Sequence, residues 1–123
     1  LVPERHPLAE GDRVPIDALR TEPFIELNPG LETDNSRFFA KYDLHPNTRF
    51  TTSDPTAVRS IVSAGLGISL INDLQAGTEK NGIRILPTDP EELVSICLVT
   101  PLTPSPAARR FLDFAQAHLS ELT

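Results

Sequence analysis

The sequence has very few of the residues on which several classes of protein depend. Among its 123 residues there is one cysteine and one tyrosine, with no tryptophan and no methionine. The single cysteine, Cys97, excludes a framework of internal disulfides. Because Cys97 lies in the apolar run "VSICLVT", it is expected to be a buried and inert thiol.

Long apolar runs and targeting signals are also missing. No apolar stretch approaches the ~20 residues that a membrane-spanning helix needs, so no membrane partner is expected. Residues 1–15 match neither a secretory signal peptide nor a transit peptide. Because the sequence opens with an apolar pair and without Met, the chain is expected to be cut from a longer protein.

Basic residues are outnumbered by acidic ones. The chain has 11 Lys and Arg against 17 Asp and Glu, a net charge of −6, and the basic residues are interspersed with acids. Such a charge repels nucleic acid, so any contact with DNA has to come from elsewhere. With 39% apolar and 23% charged residues, the composition is that of a folded domain, and one core is expected.

Strand-like and helix-like segments alternate along the chain. This alternation predicts an α/β fold with a mostly parallel sheet flanked by helices. The predicted helices are a short one that begins at Pro15, one over about 36–43 or beginning somewhat earlier, one over 55–64, and a terminal one over 105–122. The predicted strands are Phe24–Leu27 ("FIEL"), 47–52 ("NTRFTT"), 67–71 ("GISLI"), 83–86 ("IRIL") and 94–100 ("VSICLVT").

The run Gly65-Leu66-Gly67 has the appearance of a phosphate-binding loop. In a dinucleotide fold, however, the glycine turn follows a strand and precedes a helix, whereas here the glycines follow a helix. Gly65 is expected to end that helix in the left-handed conformation, and Gly67 to turn the chain into the next strand. The order excludes a phosphate loop.

The start of the same helix offers polar groups. Asp54 is the expected N-cap and Pro55 the first helical residue. Thr52 and Ser53 place hydroxyls beside the helix start, at the carboxyl end of a strand, where ligands usually bind in open α/β sheets. Two interpretations remain open: these hydroxyls hold a carboxylate or another small polar group, or they satisfy local backbone donors while Asp54 occupies the anion position.

A second strand is expected to end at the same type of edge. Glu26, Leu27 and Asn28 lead from "FIEL" into the turn "NPG", so they are candidates for lining a cleft with Thr52 and Ser53. Phe24 and Ile25 are expected in the core.

Nothing in the sequence assembles a catalytic or metal site. Ser53 is not in a Gly-x-Ser-x-Gly elbow, and the three histidines lie far apart along the chain. No His or Cys pair has ligand spacing, and Asp89, Glu91 and Glu92 are typical of a solvated acidic loop. Neither enzymatic activity nor a metal or cofactor is therefore expected.

Five segments occur in an order that resembles the co-inducer-binding domain of a LysR-type transcriptional regulator, and together they cover essentially all 123 residues. They are "HPLA" (6–9), "ALRTEPFIEL" (18–27), "AVRSIVSAGLGISLI" (57–71), "GIRILP" (82–87) and "SPAARRFLDFA" (105–115).

The resemblance implies a type 2 periplasmic-binding-protein-like fold, in which two α/β subdomains hold a small effector between them. It implies that about 12–93 form the second subdomain and 94–123 return to the first, whose remainder this chain is expected to lack. A DNA-binding amino-terminal domain, a homo-oligomer and a cytoplasmic location are implied as well. The implied effector is a small polar or anionic metabolite.

Within this resemblance, the family's cleft-facing hydroxyl corresponds to Thr52 or Ser53, and the loop after the first strand of the subdomain to Glu26, Leu27 and Asn28. One departure is Asn72-Asp73, where the family commonly has a proline after the "GISLI" strand. The apolar face of the last helix is expected to be covered by another copy or left exposed. Alternatives are a fragment of a periplasmic solute-binding protein, or an enzyme of the same broad fold.

Overall fold

The computed structural model describes residues 1–28, 30–78 and 81–119 as a mixed α/β fold. Besides a 3-10 helix at Pro7–Glu10, it contains six strands and five helices within these residues. The strands are β1 (Val2–Pro3), β2 (Val14–Pro15), β3 (Phe24–Leu27), β4 (Thr48–Thr52), β5 (Ile83–Arg84) and β6 (Thr88–Asp89). The helices are α1 (Ala18–Thr21), α2 (Asp34–Lys41), α3 (Pro55–Ser63), α4 (Asp73–Ala76) and α5 (Pro106–His118).

Three parallel segments form the centre of the fold. β3 pairs with β4 in parallel, and Phe24 forms a further parallel bridge with Ile68 on the other side. The Ile25 amide donates to the Ile68 carbonyl at 2.9 Å, and the Ile68 amide donates to the Pro23 carbonyl at 2.9 Å. The order across the sheet is therefore β4, β3 and the Ile68 segment, which confirms an α/β fold with parallel strands.

The sheet separates two apolar clusters because successive side chains on a strand point to opposite faces. Ile25 packs with Val58 and Val62 of α3 on one face. Phe24 packs with Phe38 of α2 and with neighbouring apolar residues on the other face. Burial on both faces explains why "FIEL" begins with two large apolar residues and not with an apolar and a polar one.

Two small sheets join distant parts of the chain to this centre. β1 pairs antiparallel with β5, and β2 pairs in parallel with β6. Leu1 and Ser69 exchange two backbone hydrogen bonds, of 2.7 and 3.0 Å. The beginning of the chain is thereby fixed against residues that follow it by more than 60 positions.

Several predicted elements are confirmed. β3 has the predicted bounds, β4 lies within the predicted strand, and α3 begins at Pro55 after the N-cap Asp54. α2 begins at Asp34, somewhat before residue 36 as the prediction allows, and there Thr33 and Ser36 form a reciprocal capping box. The predicted terminal helix is present as α5, although its expected last residues, 120–122, lie outside the described residues, as does Pro29 of the "NPG" turn.

The prediction of a helix that begins at Pro15 is wrong. Pro15 belongs to β2, and α1 begins at Ala18, because the Val14 amide donates to Pro87 and draws this segment into a parallel pair. "GISLI" is less regular than predicted, since only Ile68 forms a bridge, and "IRIL" is reduced to Ile83–Arg84. α4 forms after "GISLI", in a segment for which no helix is predicted.

The predictions of a strand over "VSICLVT" and of a buried Cys97 are also wrong. Residues 91–100 have no regular secondary structure, and Cys97 is exposed. An alternation of apolar side chains forms a strand only when a neighbouring strand satisfies its backbone, and no described residue pairs with this one. Without a strand beside it, the segment leaves Ile96, Leu98 and Val99 exposed.

The last helix also leaves its apolar side chains largely uncovered. No residue of α5 is fully buried: Phe111 and Phe114 are exposed, as is Leu119 just after the helix, while Leu112 and Ala115 are half-buried. This agrees with the expectation of a face without a partner inside the described chain. None of the helices in the described ranges combines the length and apolar character needed to cross a membrane.

Candidate functional site

The predicted site residues meet at the carboxyl ends of two neighbouring strands. In the parallel register of β3 and β4, Leu27 lies opposite Thr52. The Asn28 amide then donates to the Thr52 carbonyl at 2.9 Å. Leu27, Asn28, Thr52 and the following Ser53 therefore form one corner of the sheet.

Glu26 lies on a different face from the other residues of this corner. Leu27 packs against the cluster under α3, so the preceding Glu26 side chain points to the opposite face. The nearest partner of its carboxylate is the Thr48 hydroxyl, at 3.5 Å. The structure thus brings Leu27, Asn28, Thr52 and Ser53 together, and places Glu26 at the same edge but across the sheet.

The two hydroxyls in the corner have different roles. The Thr52 hydroxyl oxygen accepts a hydrogen bond from the Asp54 amide at 3.1 Å, and the Asp54 carboxylate accepts from the Thr56 amide at 2.8 Å. Local capping therefore accounts for Asp54 and for one lone pair of Thr52. The Ser53 side chain is exposed and makes no hydrogen bond to any residue that the structure describes. Ser53 and the Thr52 proton remain available to an external group.

Replacing Asp54 with alanine should lower the free energy of unfolding by about 1 kcal/mol, because the Thr56 amide loses its acceptor. Asp54→Asn, which retains an acceptor of the same geometry, should be nearly neutral. Urea titration followed by circular dichroism measures both values. Equal losses in the two variants would show that the carboxylate charge, and not capping, stabilises α3.

The two glycines after α3 have structural roles, as predicted. Gly65 has φ +78° and donates its amide to the Val62 carbonyl at 2.9 Å, which closes the helix. At Gly67 an added Cβ would lie 2.4 Å from the Pro23 carbonyl oxygen. This close approach of two backbones, and not a phosphate, explains the second glycine.

A cleft that was not predicted from the sequence lies beside the predicted corner. Its volume is about 830 Å³, and its walls are α2, the segment 68–76 and the segment 85–96. Of the five predicted binding residues, only Leu27 lines it. The sequence signals near this cleft are Asn72-Asp73 and the acidic residues Glu91 and Glu92. Asn72 caps α4 by accepting from the Gln75 amide at 2.9 Å.

A polar cluster closes one part of the cleft wall. Glu92 accepts hydrogen bonds from the Lys41 ammonium, at 2.5 Å, and from the Tyr42 hydroxyl. The hydrogen bond to Glu92 raises the pKa of Lys41 and that of Tyr42, while those from Lys41 and then Tyr42 lower the pKa of Glu92. The predicted solvated acidic loop is therefore partly wrong: Glu92 is tied to α2, and Glu91 pairs with Arg13 at 3.1 Å.

Throughout 1–28, 30–78 and 81–119, no three His, Cys, Asp or Glu side chains lie close enough together to hold a metal ion. His6 contacts Glu22 at 3.3 Å, but its Nδ1 accepts from the Leu8 amide and so holds the 3-10 helix. The contacts of His6 are therefore those of a residue that caps a helix.

Comparison with known proteins identifies the family of the chain. The model of the family described as "LysR substrate binding domain" matches residues 1–120. The HTH-type transcriptional regulator YybE of Bacillus subtilis, itself uncharacterized, is 31% identical over 124 residues, which cover 98% of this chain and 42% of YybE. The uncharacterized regulator YnfL of Escherichia coli is 33% identical over 118 residues, which cover 90% of this chain and 40% of YnfL.

Solved structures show the same fold. HinK, a LysR family transcriptional regulator from Pseudomonas aeruginosa, superposes with a TM-score of 0.72 at 25% identity, over 99% of this chain and 44% of HinK. The regulatory domain of Synechocystis CcmR, solved in complex with 2-PG, gives a TM-score of 0.69 at 23% identity, over 94% of this chain and 59% of that domain. The chain thus spans about two fifths of the length of these two curated relatives, YybE and YnfL.

Proposed function

Because the chain belongs to the LysR substrate-binding domain family, we propose that it is part of the effector-binding domain of a DNA-binding transcription factor. In this proposal it senses a small polar or anionic metabolite and has no catalytic role and no cofactor. DNA is contacted by an amino-terminal domain outside this chain, as the net charge of −6 favours. The factor works as a homo-oligomer in the cytoplasm.

The effector is proposed to bind at the corner formed by Leu27, Asn28, Thr52 and Ser53, with Glu26 at the same edge. The single observation that carries this proposal is the parallel register that sets Leu27 opposite Thr52, with an exposed Ser53 hydroxyl next to them that bonds to none of the described residues. In open α/β sheets, ligands bind outside the carboxyl ends of the strands. The corner has this location and offers hydroxyl and amide groups to a polar ligand.

The proposed organisation has residues 12–93 as one subdomain and 94–123 as the part that returns to the other. The exposed side chains of 94–99 and of α5 support this division, since they leave apolar surface for a further subdomain to cover. Effector contacts would then favour one arrangement of the two subdomains over another, and the oligomer would present its DNA-binding domains accordingly.

A screen of small metabolites by thermal shift tests the proposed site. A compound that binds only the folded state raises the apparent melting temperature by mass action. The double variant Thr52→Ala/Ser53→Ala should bind such a compound about thirtyfold more weakly, because two hydrogen bonds of ~1 kcal/mol each are lost. Titration of the melting temperature against compound concentration measures the change.

Thr51→Ala is the matched control. Thr51 is also an exposed hydroxyl of β4, but it pairs with Glu26 and points to the opposite face from Thr52. The Thr51→Ala variant should bind the compound as tightly as the unaltered chain does. Unchanged binding by the double variant would exclude the corner as the site, and the absence of any stabilising metabolite, in the full-length regulator as well, would contradict the proposed function.

A further inference from the structure

The segment 91–96, called the strap below, forms one wall of the cleft of about 830 Å³. It has no regular secondary structure, and the side chain next to Glu92, Leu93, is 90% exposed. Among the described residues, neither a strand ladder nor close apolar packing therefore holds the strap in place. Its attachment to the rest of the molecule depends on polar side chains at its beginning.

Glu92 is the strap residue with the most developed attachment. Its side chain is only 30% exposed, and one carboxylate oxygen receives both the Lys41 ammonium, at 2.5 Å, and the Tyr42 hydroxyl. Hydrogen bonds to an ionised acceptor are shorter and stronger than those between neutral groups. The three side chains Lys41, Tyr42 and Glu92, called the clasp below, join residues 50 or more positions apart.

The part of the clasp at the end of α2, Lys41 and Tyr42, is in contact with neighbouring aromatic rings. The Tyr42 ring lies 5.0 Å from the buried Phe38 ring, and the Lys41 ammonium lies 5.3 Å from the centre of the Tyr42 ring. Packing thus holds the Tyr42 ring at the end of α2, and the Lys41 ammonium, on a side chain that is 58% exposed, lies beside that ring. The neighbouring pair of Arg13 and Glu91 is more open, with both side chains at least half exposed, and is weakened accordingly by solvent.

We propose that the clasp of Lys41, Tyr42 and Glu92 holds the strap against α2, and that release of Glu92 opens the cleft on that side. The strap is then a movable wall whose position is set by one carboxylate. This goes beyond the effector-binding proposal and does not depend on Thr52 and Ser53. A cleft that opens at one edge gives the molecule an open and a closed state. A ligand in the cleft would favour the state that it binds more tightly.

The composition of the chain provides a direct measurement. Tyr42 is its only tyrosine, there is no tryptophan, and Cys97, just beyond the strap, is its only cysteine and is exposed. When the light is chosen at a wavelength that phenylalanine does not absorb, an acceptor dye attached to Cys97 receives excitation energy from Tyr42 alone. Since five residues of chain reach at most about 18 Å, the dye stays close to the tyrosine while Glu92 is clasped.

The experiment compares energy transfer in the unaltered chain with that in three variants. Glu92→Ala and Lys41→Ala should both lower the transfer, because the strap leaves α2. Glu91→Ala removes the same charge one residue away and breaks only the pair with Arg13, so its transfer should stay at the unaltered value. Far-ultraviolet circular dichroism checks that all four chains keep their secondary structure.

Two results would overturn the proposal. Unchanged transfer in Glu92→Ala would mean that the strap is held by something other than the clasp. An equal loss in Glu91→Ala would mean that the strap responds to the loss of any negative charge, and not to the bonds with Lys41 and Tyr42.

Discussion

Replacing Phe24 with alanine should lower the free energy of unfolding by about 4 kcal/mol, the largest loss expected for any truncation in this chain. Phe24 is 0% exposed, and its ring meets the edge of the Phe39 ring with the centroids 5.7 Å apart. It also lies where β3 contacts both of its neighbours, opposite Thr48 and Ile68. Removing the ring leaves a cavity that the flanking strands cannot close by themselves. Urea unfolding followed by circular dichroism measures the loss.

Phe50→Ala is the control for the Phe24 variant. Phe50 lies on the neighbouring strand β4 but is 42% exposed, so its removal takes less apolar surface from the core. We expect a loss of no more than about 1 kcal/mol for this variant. Similar losses at the two positions would contradict the assignment of Phe24 to the centre of the core.

Replacing Gly67 with alanine should cost roughly 3 kcal/mol or more, because the new Cβ meets backbone and not a movable side chain. The contact would be 2.4 Å from the Pro23 carbonyl oxygen, the same atom that accepts the Ile68 amide. Relief of the clash requires the Ile68 segment to move away from β3. The variant should therefore show a lower midpoint of urea unfolding and faster hydrogen exchange at the Ile68 amide.

Gly65→Ala separates steric contact from backbone conformation. Gly65 has φ +78°, but nothing lies within 4 Å of an added Cβ. Alanine there should cost only the ~1–2 kcal/mol of a left-handed residue. If the two glycine variants lost the same stability, the close approach to Pro23 would have no energetic weight.

The elements that the sequence predicted best are those with strong local signals. α3 begins where Asp54 and Pro55 indicate, and the Asp54 side chain caps it as expected. β3 has its predicted bounds because two large apolar residues are followed directly by a turn-forming segment. In both cases the residues that predict the element lie within the element or next to it.

The elements that the sequence predicted wrongly depend on distant partners. Pro15 has the features of a first helical residue, but pairing with Asp89 draws it into β2. "VSICLVT" has the composition of a strand, yet no described residue pairs with it, and Cys97 stays exposed. Composition alone predicts what a segment is able to form, whereas the partner decides what it does form.

The candidate site was also predicted only in part. The meeting of Leu27 with Thr52 follows from the general rule that parallel strands end at one edge of the sheet. The cleft and the clasp could not be predicted in this way, because Lys41 and Glu92 are 51 positions apart, and Arg13 and Glu91 are 78 apart. Each of these residues taken singly has the appearance of an ordinary surface charge.

The pairing of the first residues with distant segments has a consequence for how the molecule folds. Leu1 is bonded to Ser69, and Val2 lies opposite Arg84, so these pairs close loops of most of the chain. Loop closure of this kind costs entropy before any contact offsets it, and domains dominated by such contacts fold slowly, in milliseconds to seconds. During synthesis, β1 has to wait for β5 to leave the ribosome, and until then its apolar residues stay open to chaperones and to wrong partners.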